Sequence, residues 1–375
     1  MTGARQRQIP ALDGIRGVAI IWVLFHNTTA EQLAPFSRAL HLLPLLTNMG
    51  WIGVQLFFAL SGFLITGGLL DSQGSGHYFR NFYAKRALRI LPLYYTVLLL
   101  LLVVLPRLIT LPAPFSSEHQ APLWLFTANW DTQSLPYGFA HFWSLAIEEQ
   151  FYLIWPLVVF ALPPRRLLQV CVWIALGALL LRCTLADYGA SGWTLYTNTA
   201  CRMDALSLGG AGACLLRVPV AREQIRAGLG LLGGVALGVF LAGIPLTRIY
   251  YRDGVSGETL GYTLLAFSSA AFVTWVAAQP DRSAALVVRL LEWGPLRSCG
   301  RYSYAMYVLH NLLHKLLGEQ WLLRRFGSHP PLQVVYIYAL IVLVTTYALS
   351  FVSYHTLEKH FLRLKRPFEQ VRGVS

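Results

Sequence analysis

Charge is the scarcest commodity in this chain: Asp, Glu, Lys and Arg make up 13 % of its 375 residues against 55 % hydrophobic, and mean hydropathy is +0.52. A soluble domain of this length needs far more polar surface, so that class is excluded. Five cysteines (171, 183, 201, 214 and 299) form no CxxC pair and read as small packing residues. No internal repeat, low-complexity tract, glycine-rich phosphate loop, GxSxG elbow or soluble catalytic triad stands out. The HxxxH of His310 and His314 has a metal-ligand spacing without an accompanying carboxylate or cysteine signal, so no metal site is expected.

What the chain has instead is long apolar runs. Ten candidate spans can be drawn: 12–28, 51–70, 88–105, 143–161, 167–185, 202–216, 227–245, 259–278, 302–318 and 333–356. Most approach the ~20 residues needed to cross a bilayer, and the short 202–216 rests mainly on the topology it completes. The expected fold is an all-α integral membrane protein with about ten transmembrane helices, a single domain over 1–375 and no appended soluble domain. A net charge of +13 would suggest nucleic acid in a soluble protein, but here its distribution follows the spans.

With the N-terminus inside, twenty-one of the thirty Lys and Arg fall on the inner side. They are Arg5, Arg7 and Arg16; Arg80, Lys85, Arg86 and Arg89; Arg165 and Arg166; Arg217, Arg222 and Arg226; Arg282, Arg289, Arg297 and Arg301; and Lys359, Arg363, Lys365, Arg366 and Arg372. That bias puts both termini in the cytoplasm. A signal-peptide reading of the first thirty residues competes, but Asp13 and Arg16 interrupt the approach to its short apolar run. The longest loop, 106–142, falls outside and is rich in Pro and aromatics, as functional loops often are. Gly230, Gly234 and Gly238 recur every four residues in the seventh span and predict a close approach by a neighbouring helix.

Titratable groups inside such spans are costly, so each is a functional candidate with a packing alternative. His26 ends LDGIRGVAIIWVLFH about 20 Å beyond Asp13, in the outer half of the first span. A histidine is the side chain best suited to take a proton from a hydroxyl near neutral pH. In FYAKRALRILPLYY, Arg86 and Arg89 lie three apart beside Lys85, a group able to hold phosphates or simply to cap a helix at the inner face. In HFWSLAIEEQFYLIWP, Glu148 is expected at a depth near that of His26, to orient the imidazole or bind a substrate hydroxyl. His310 and His314 read as part of a polar pathway, with Asp204 and Glu358 adding charge near helix ends.

Taken in order, PALDGIRGVAIIWVLFH, GWIGVQLFFALSGFLIT, FYAKRALRILPLYY, HFWSLAIEEQFYLIWP, CRMDALSLGG, SYAMYVLH and the terminal LEK resemble the membrane-bound acyltransferase 3 family over nearly the whole chain. The resemblance implies ten helices and a cytoplasmic acyl-CoA donor. It makes His26 the essential histidine and Arg16 its paired arginine, and puts Ser61 and Gly62, in the SGFL signature, among the acyl-CoA-binding residues. Arg86 and Arg89, with Lys85 beside them, fall in the donor-side signature. Trp143 and Glu148 match the WSL-to-glutamate signature, His310 ends the ninth-helix motif, and Tyr307 and Glu358 are placed as supporting or acceptor-side residues. One departure stands out: Arg16 and His26 are ten residues apart where the family usually has eleven, which leaves them about 80° apart on a regular helix.

The expected activity is O-acyl transfer at the bacterial inner membrane. Acetyl would pass from acetyl-CoA, a co-substrate and not a bound cofactor, to a hydroxyl of a cell-surface or exported sugar, or of a small molecule such as a macrolide. His26 would be the general base or, in a variant, the acylated nucleophile, with oxyanion stabilisation from Arg16, Trp143 or a backbone amide. A sugar-lipid transporter or flippase is the alternative from another class, and the absence of paired half-sequences counts against it. A non-catalytic membrane subunit is a third possibility, which His26 and the donor-side arginines weaken.

Overall fold

The computed structural model describes residues 9–38, 42–108, 119–220, 222–247, 257–279, 285–327 and 330–368. Arg5, Arg7, Arg282 and Arg372 of the inner-side assignment, and the middle of the 106–142 loop, lie outside the described residues. The described residues are helical and contain no strand. The ten longest helices are α1 (Pro10–Arg38), α2 (Ile52–Leu70), α3 (Tyr78–Leu98), α4 (Trp143–Ala161), α5 (Pro164–Asp187), α6 (Thr199–Leu215), α7 (Arg222–Thr247), α8 (Tyr262–Ala277), α9 (Gly294–Leu313) and α10 (Leu332–Ser353). Each expected span falls on one of them once their π-helical extensions are included; seven agree to within about five residues at each end, while α1 runs ten residues past 28, α3 begins ten residues before 88 and α9 begins eight before 302. Among the described residues six stretches are long and apolar enough to cross a membrane by length and composition: Leu46–Leu70, Tyr78–Leu108, Ala140–Ala161, Pro164–Asp187, Gly257–Ala277 and Leu332–Arg363.

Local chemistry explains the helix starts. Pro10 opens α1, where its missing N–H is no loss, and Asp13 in the first turn complements the positive helix end. Asn198 caps α6, its side-chain oxygen accepting from the amides of Ala200 and Cys201 at 2.9 and 3.3 Å. α1 lies at the centre against α2, α9 and α10, and α6 packs between α2, α5 and α8. The outer faces stay apolar: Leu153 and Leu157 of α4, Trp173 and Leu180 of α5, and Ile337 and Ile341 of α10 are all more than half exposed. In water such surface would drive association, whereas hydrocarbon satisfies it.

One sequence expectation changes in part. Of the α7 glycine stripe only Gly230 faces a neighbouring helix, a Cβ there meeting Trp275 of α8 at 3.5 Å; nothing lies within 4 Å of one on Gly234 or Gly238, and the tighter approach is at Gly233, 2.8 Å from Ala271 of α8. The 106–142 loop, in its described part, is folded onto the bundle by aromatics. Tyr94 and Tyr95 donate to the carbonyls of Leu123 and Trp124 at 2.7 and 3.1 Å, and Phe126 stacks on Tyr94 with centroids 4.3 Å apart.

Candidate active site

Two polar centres lie along α1, one near its N-terminal end at Arg16 and one near its middle at His26. At the first, Glu148 of α4 accepts the Ser61 hydroxyl of α2 at 2.6 Å, and Tyr152 donates to the Ser61 oxygen at 3.2 Å. Arg86 of α3 lies beside them, its guanidinium 5.6 Å from the Tyr152 ring and 5.9 Å from that of Phe82. Arg16 bonds Asp13 at 3.0 Å and lies within electrostatic reach of Arg86, Arg89 and Glu148. Arg89 in turn faces Glu358, which accepts from Ser353 at 3.3 Å. Arg16, Lys85, Arg86 and Arg89 are only half-buried. Asp13, Glu148, Glu149 and Glu358 stand among these cations, and the half-buried guanidinium groups drawn from two helices are of the kind that holds the phosphates of a polyanion arriving from that end.

At the second centre His26 is buried, its Cβ against Gly50, which immediately precedes Trp51 at the start of α2. A Cβ on Gly50 would fall 2.2 Å from the Trp22 carbonyl oxygen and 2.7 Å from Cβ of His26, so only glycine allows this seat. Next along the helix, the Asn27 amide lies 2.8 Å from His310 Nε2. His310 Nδ1 is 2.8 and 3.2 Å from the carbonyls of Tyr307 and Met306, so Nδ1 carries the proton and Nε2 accepts from Asn27, a tautomer assigned from these bonds. The lone pair that a base would need is therefore committed to Asn27. Its ring packs on His141 at 4.9 Å; Asn311 reaches His141 Nδ1 at 3.3 Å, and the Tyr307 hydroxyl meets Ser144 Oγ at 2.5 Å and the His141 carbonyl at 3.0 Å.

The two centres are separate. α1 is regular from Pro10 to Arg38, with no bulge to bring Arg16 and His26 onto one face, so about 15 Å of helix and roughly 80° divide them. Arg16 accordingly belongs with Arg86 and Arg89. Glu148, expected near the depth of His26, is bonded to Ser61, which lies eleven residues after Gly50 and about 16 Å along α2. Gly62 packs on α6: a Cβ there would meet the Leu206 carbonyl oxygen at 1.8 Å. Trp143 is wedged between Phe58 and Tyr196, with centroids 6.0 and 4.7 Å away.

The chain matches the acyltransferase 3 family, described as an acyltransferase domain, over residues 9–355. It belongs to that family. Among its relatives are the O-acetyltransferase OatA of Staphylococcus aureus, 26 % identical over 94 % of this chain and 57 % of the relative. The putative peptidoglycan O-acetyltransferase YrhL of Bacillus subtilis is 29 % identical over 94 % and 55 %. The peptidoglycan O-acetyltransferase OatA of Listeria monocytogenes is 26 % identical over 81 % and 49 %. The chain thus spans about half the length of these relatives, and no solved structure matches it.

Within this acyltransferase domain several groups escaped the sequence reading. Asn27, Ser144, Tyr152 and His141 lie in or beside stretches already singled out, but only the fold reveals their partners. Arg182, also missed, pairs at 2.8 Å across α5 and α6 with Asp204, which the sequence did single out; both are fully buried, and Thr263 is also bonded to Arg182 at 2.5 Å. Arg202 is fully buried as well. A charge inside an apolar span was the available signal for both arginines. Among the described residues no three His, Cys, Asp or Glu gather as metal ligands. His314 Nδ1 lies 2.6 Å from the Tyr338 hydroxyl and His310 Nε2 faces Asn27, so the two histidines do not share a target.

Proposed function

We propose that this chain is an integral-membrane O-acetyltransferase of the bacterial inner membrane, with ten membrane-crossing helices and both termini in the cytoplasm. Acetyl-CoA would enter at the Arg16, Arg86 and Arg89 end, where its phosphates meet half-buried guanidinium groups, while its pantetheine arm runs along α1 and α2 toward His26. The acceptor would be a glycan hydroxyl reaching His26 from the outer side, since curated relatives are named for acetylation of peptidoglycan.

The observation that carries this reading is the division of labour along α1. A buried histidine stands about 15 Å of helix from a cationic cluster that a long, polyanionic thioester can span. In the reaction the hydroxyl oxygen attacks the thioester carbon as His26 takes its proton. The carbonyl electron pair moves to oxygen and returns as the C–S bond breaks, and the departing thiolate takes the proton from the imidazolium. Ser61 and Tyr152 hold the Glu148 carboxylate beside Arg86, keeping that guanidinium oriented for phosphate. Asn27 and His310 fix the helix turn that bears His26.

The test is purified protein in proteoliposomes loaded with radiolabelled acetyl-CoA on one side and supplied with glycan fragments on the other. The proposal expects labelled ester on the glycan and free CoA on the donor side. Glycan movement across the bilayer without acetyl-CoA consumption would replace it with transport.

A further inference from the structure

The aromatic girdle around Trp143 encloses a charge that the reading above does not use. Arg202 of α6 is 0 % exposed, its guanidinium carbon 4.7 Å from the ring centroid of Tyr262, 5.0 Å from Tyr196 and 5.8 Å from Phe58. None of Nε, Nη1 and Nη2 has a hydrogen-bond partner among the described residues. Asp204, two residues on, is held by Arg182. In the wall of the same cage Gln55, also 0 % exposed, donates to the Tyr262 carbonyl at 3.2 Å and leaves its Oε1 without a partner.

Ring faces attract a cation, but they do not meet the directional demand of a guanidinium, which presents five N–H donors and always carries its charge. A buried arginine without a carboxylate is therefore an incomplete arrangement in a low-dielectric interior. Its position is also telling. Trp51 packs edge-on against Tyr196 and Tyr262, at 6.2 and 5.7 Å, and immediately follows Gly50, the residue on which His26 is seated. The cage is thus one ring layer from the proposed base.

We propose that Arg202 is the receptor for an oxygen anion of the molecule reacting at His26. The proposal rests on the acyl-transfer reading for the identity of that molecule, and two sources share the chemistry. One is the thioester carbonyl: as the acceptor oxygen bonds to its carbon, the C=O pair collects on oxygen, Arg202 donates to it, and the pair returns when the C–S bond breaks. The other is a carboxylate carried by an acidic sugar acceptor. Either way a preorganised, water-excluded cation meets negative charge only when the reactant is present, as electrostatic catalysis or recognition requires.

The test compares wild type with Arg202→Met, which keeps the side chain's length and removes its charge, and with Arg202→Lys. Thermal unfolding is measured in detergent with sodium gluconate replaced by sodium formate at constant ionic strength, followed by steady-state acetyl transfer and acetyl-CoA hydrolysis. Formate should raise the Tm of wild type and not of Arg202→Met, a readout that holds even if acetyl-CoA is not the donor. Arg202→Met should remain folded and lose transfer at least about 100-fold in kcat, with the KM for acetyl-CoA within about threefold. Parallel loss of hydrolysis assigns the anion to the thioester; loss of transfer alone assigns it to the acceptor. Transfer within threefold of wild type, or an equal formate shift in both proteins, overturns the proposal. Should Arg202→Met fail to fold, Arg202→Lys decides: full activity makes Arg202 a structural cation and overturns the proposal, while a folded protein with at least about tenfold lower kcat supports it.

Discussion

Replacing Gly50 by alanine should displace His26 without touching its chemistry. The added methyl would sit 2.2 Å from the Trp22 carbonyl oxygen and 2.7 Å from Cβ of His26, where ordinary contact begins at 3.4 Å. The carbonyl is helix backbone, and so is the scaffold carrying the His26 Cβ, so neither can rotate away. α1 and the start of α2 must therefore separate by about 1 Å, and overpacking of this kind costs about 1–3 kcal/mol. A misplacement of about 1 Å at a reacting group lowers rate on the order of 100-fold, so the kinetic penalty should exceed the stability penalty in its effect on turnover. Single-turnover acetyl transfer and thermal unfolding should be followed together, with Gly177→Ala as the control because nothing lies within 4 Å of its added methyl. Gly50→Ala at the wild-type rate and Tm would show that the His26 seat is not tight and would refute the reasoning.

Changing both Arg86 and Arg89 to Gln should raise the KM for acetyl-CoA at least about tenfold and leave the acceptor KM unchanged, because each charge-assisted contact is worth roughly 1.5–3 kcal/mol; an unchanged donor KM returns them to helix capping. Asp204→Asn should destabilise the bundle by about 3–5 kcal/mol by leaving buried Arg182 unpaired, while the double change Arg182→Met with Asp204→Leu should recover most of it in a denaturation midpoint. Burial opposes charge on Glu319, but hydrogen bonds from Lys315 and Tyr137 outweigh it and hold this carboxyl below its ordinary 4.5. A depressed folded-state value gives stability that is present above the ordinary value and lost as pH falls through the folded one. Wild type should therefore lose its Tm advantage over Glu319→Gln as pH is lowered from 6 through this range, and a gap that does not change with pH would contradict it. Gln133→Cys and Gly76→Cys, both at exposed positions, should label oppositely with an impermeant thiol reagent on spheroplasts, position 133 reacting and position 76 protected; Thr132 is too buried to serve.

The helices were readable because apolar runs of this length are rare outside membranes: a helix stands at each expected span, and among the described residues six stretches are long and apolar enough to cross a membrane. The arginines at the start of α3 were also readable, since a basic run at a helix end needs no tertiary information to be recognised. Partner choice was not. Glu148 and His26 looked level when depth was counted along separate helices, and only the antiparallel contact of α1 with α2 shows that Ser61 claims the carboxylate. The ten-residue spacing of Arg16 and His26 left room for a local bulge, and the regular helix has none, which leaves the two about 80° apart. Asn27 was invisible because an asparagine next to a candidate histidine carries no signal until His310, far away in sequence, is brought opposite it. The packing role of Gly62 was equally hidden, because the backbone of α6 that it accommodates comes from far away in sequence.

The most direct test of the account is single-turnover acetyl transfer by His26→Ala in proteoliposomes, with folding confirmed by unfolding temperature and acetyl-CoA binding measured alongside. A general base contributes about 10²–10⁴-fold, so the account predicts a loss of that size with donor affinity unchanged, because the arginine cluster is about 15 Å of helix away. Transfer within threefold of wild type by a folded His26→Ala protein would contradict it.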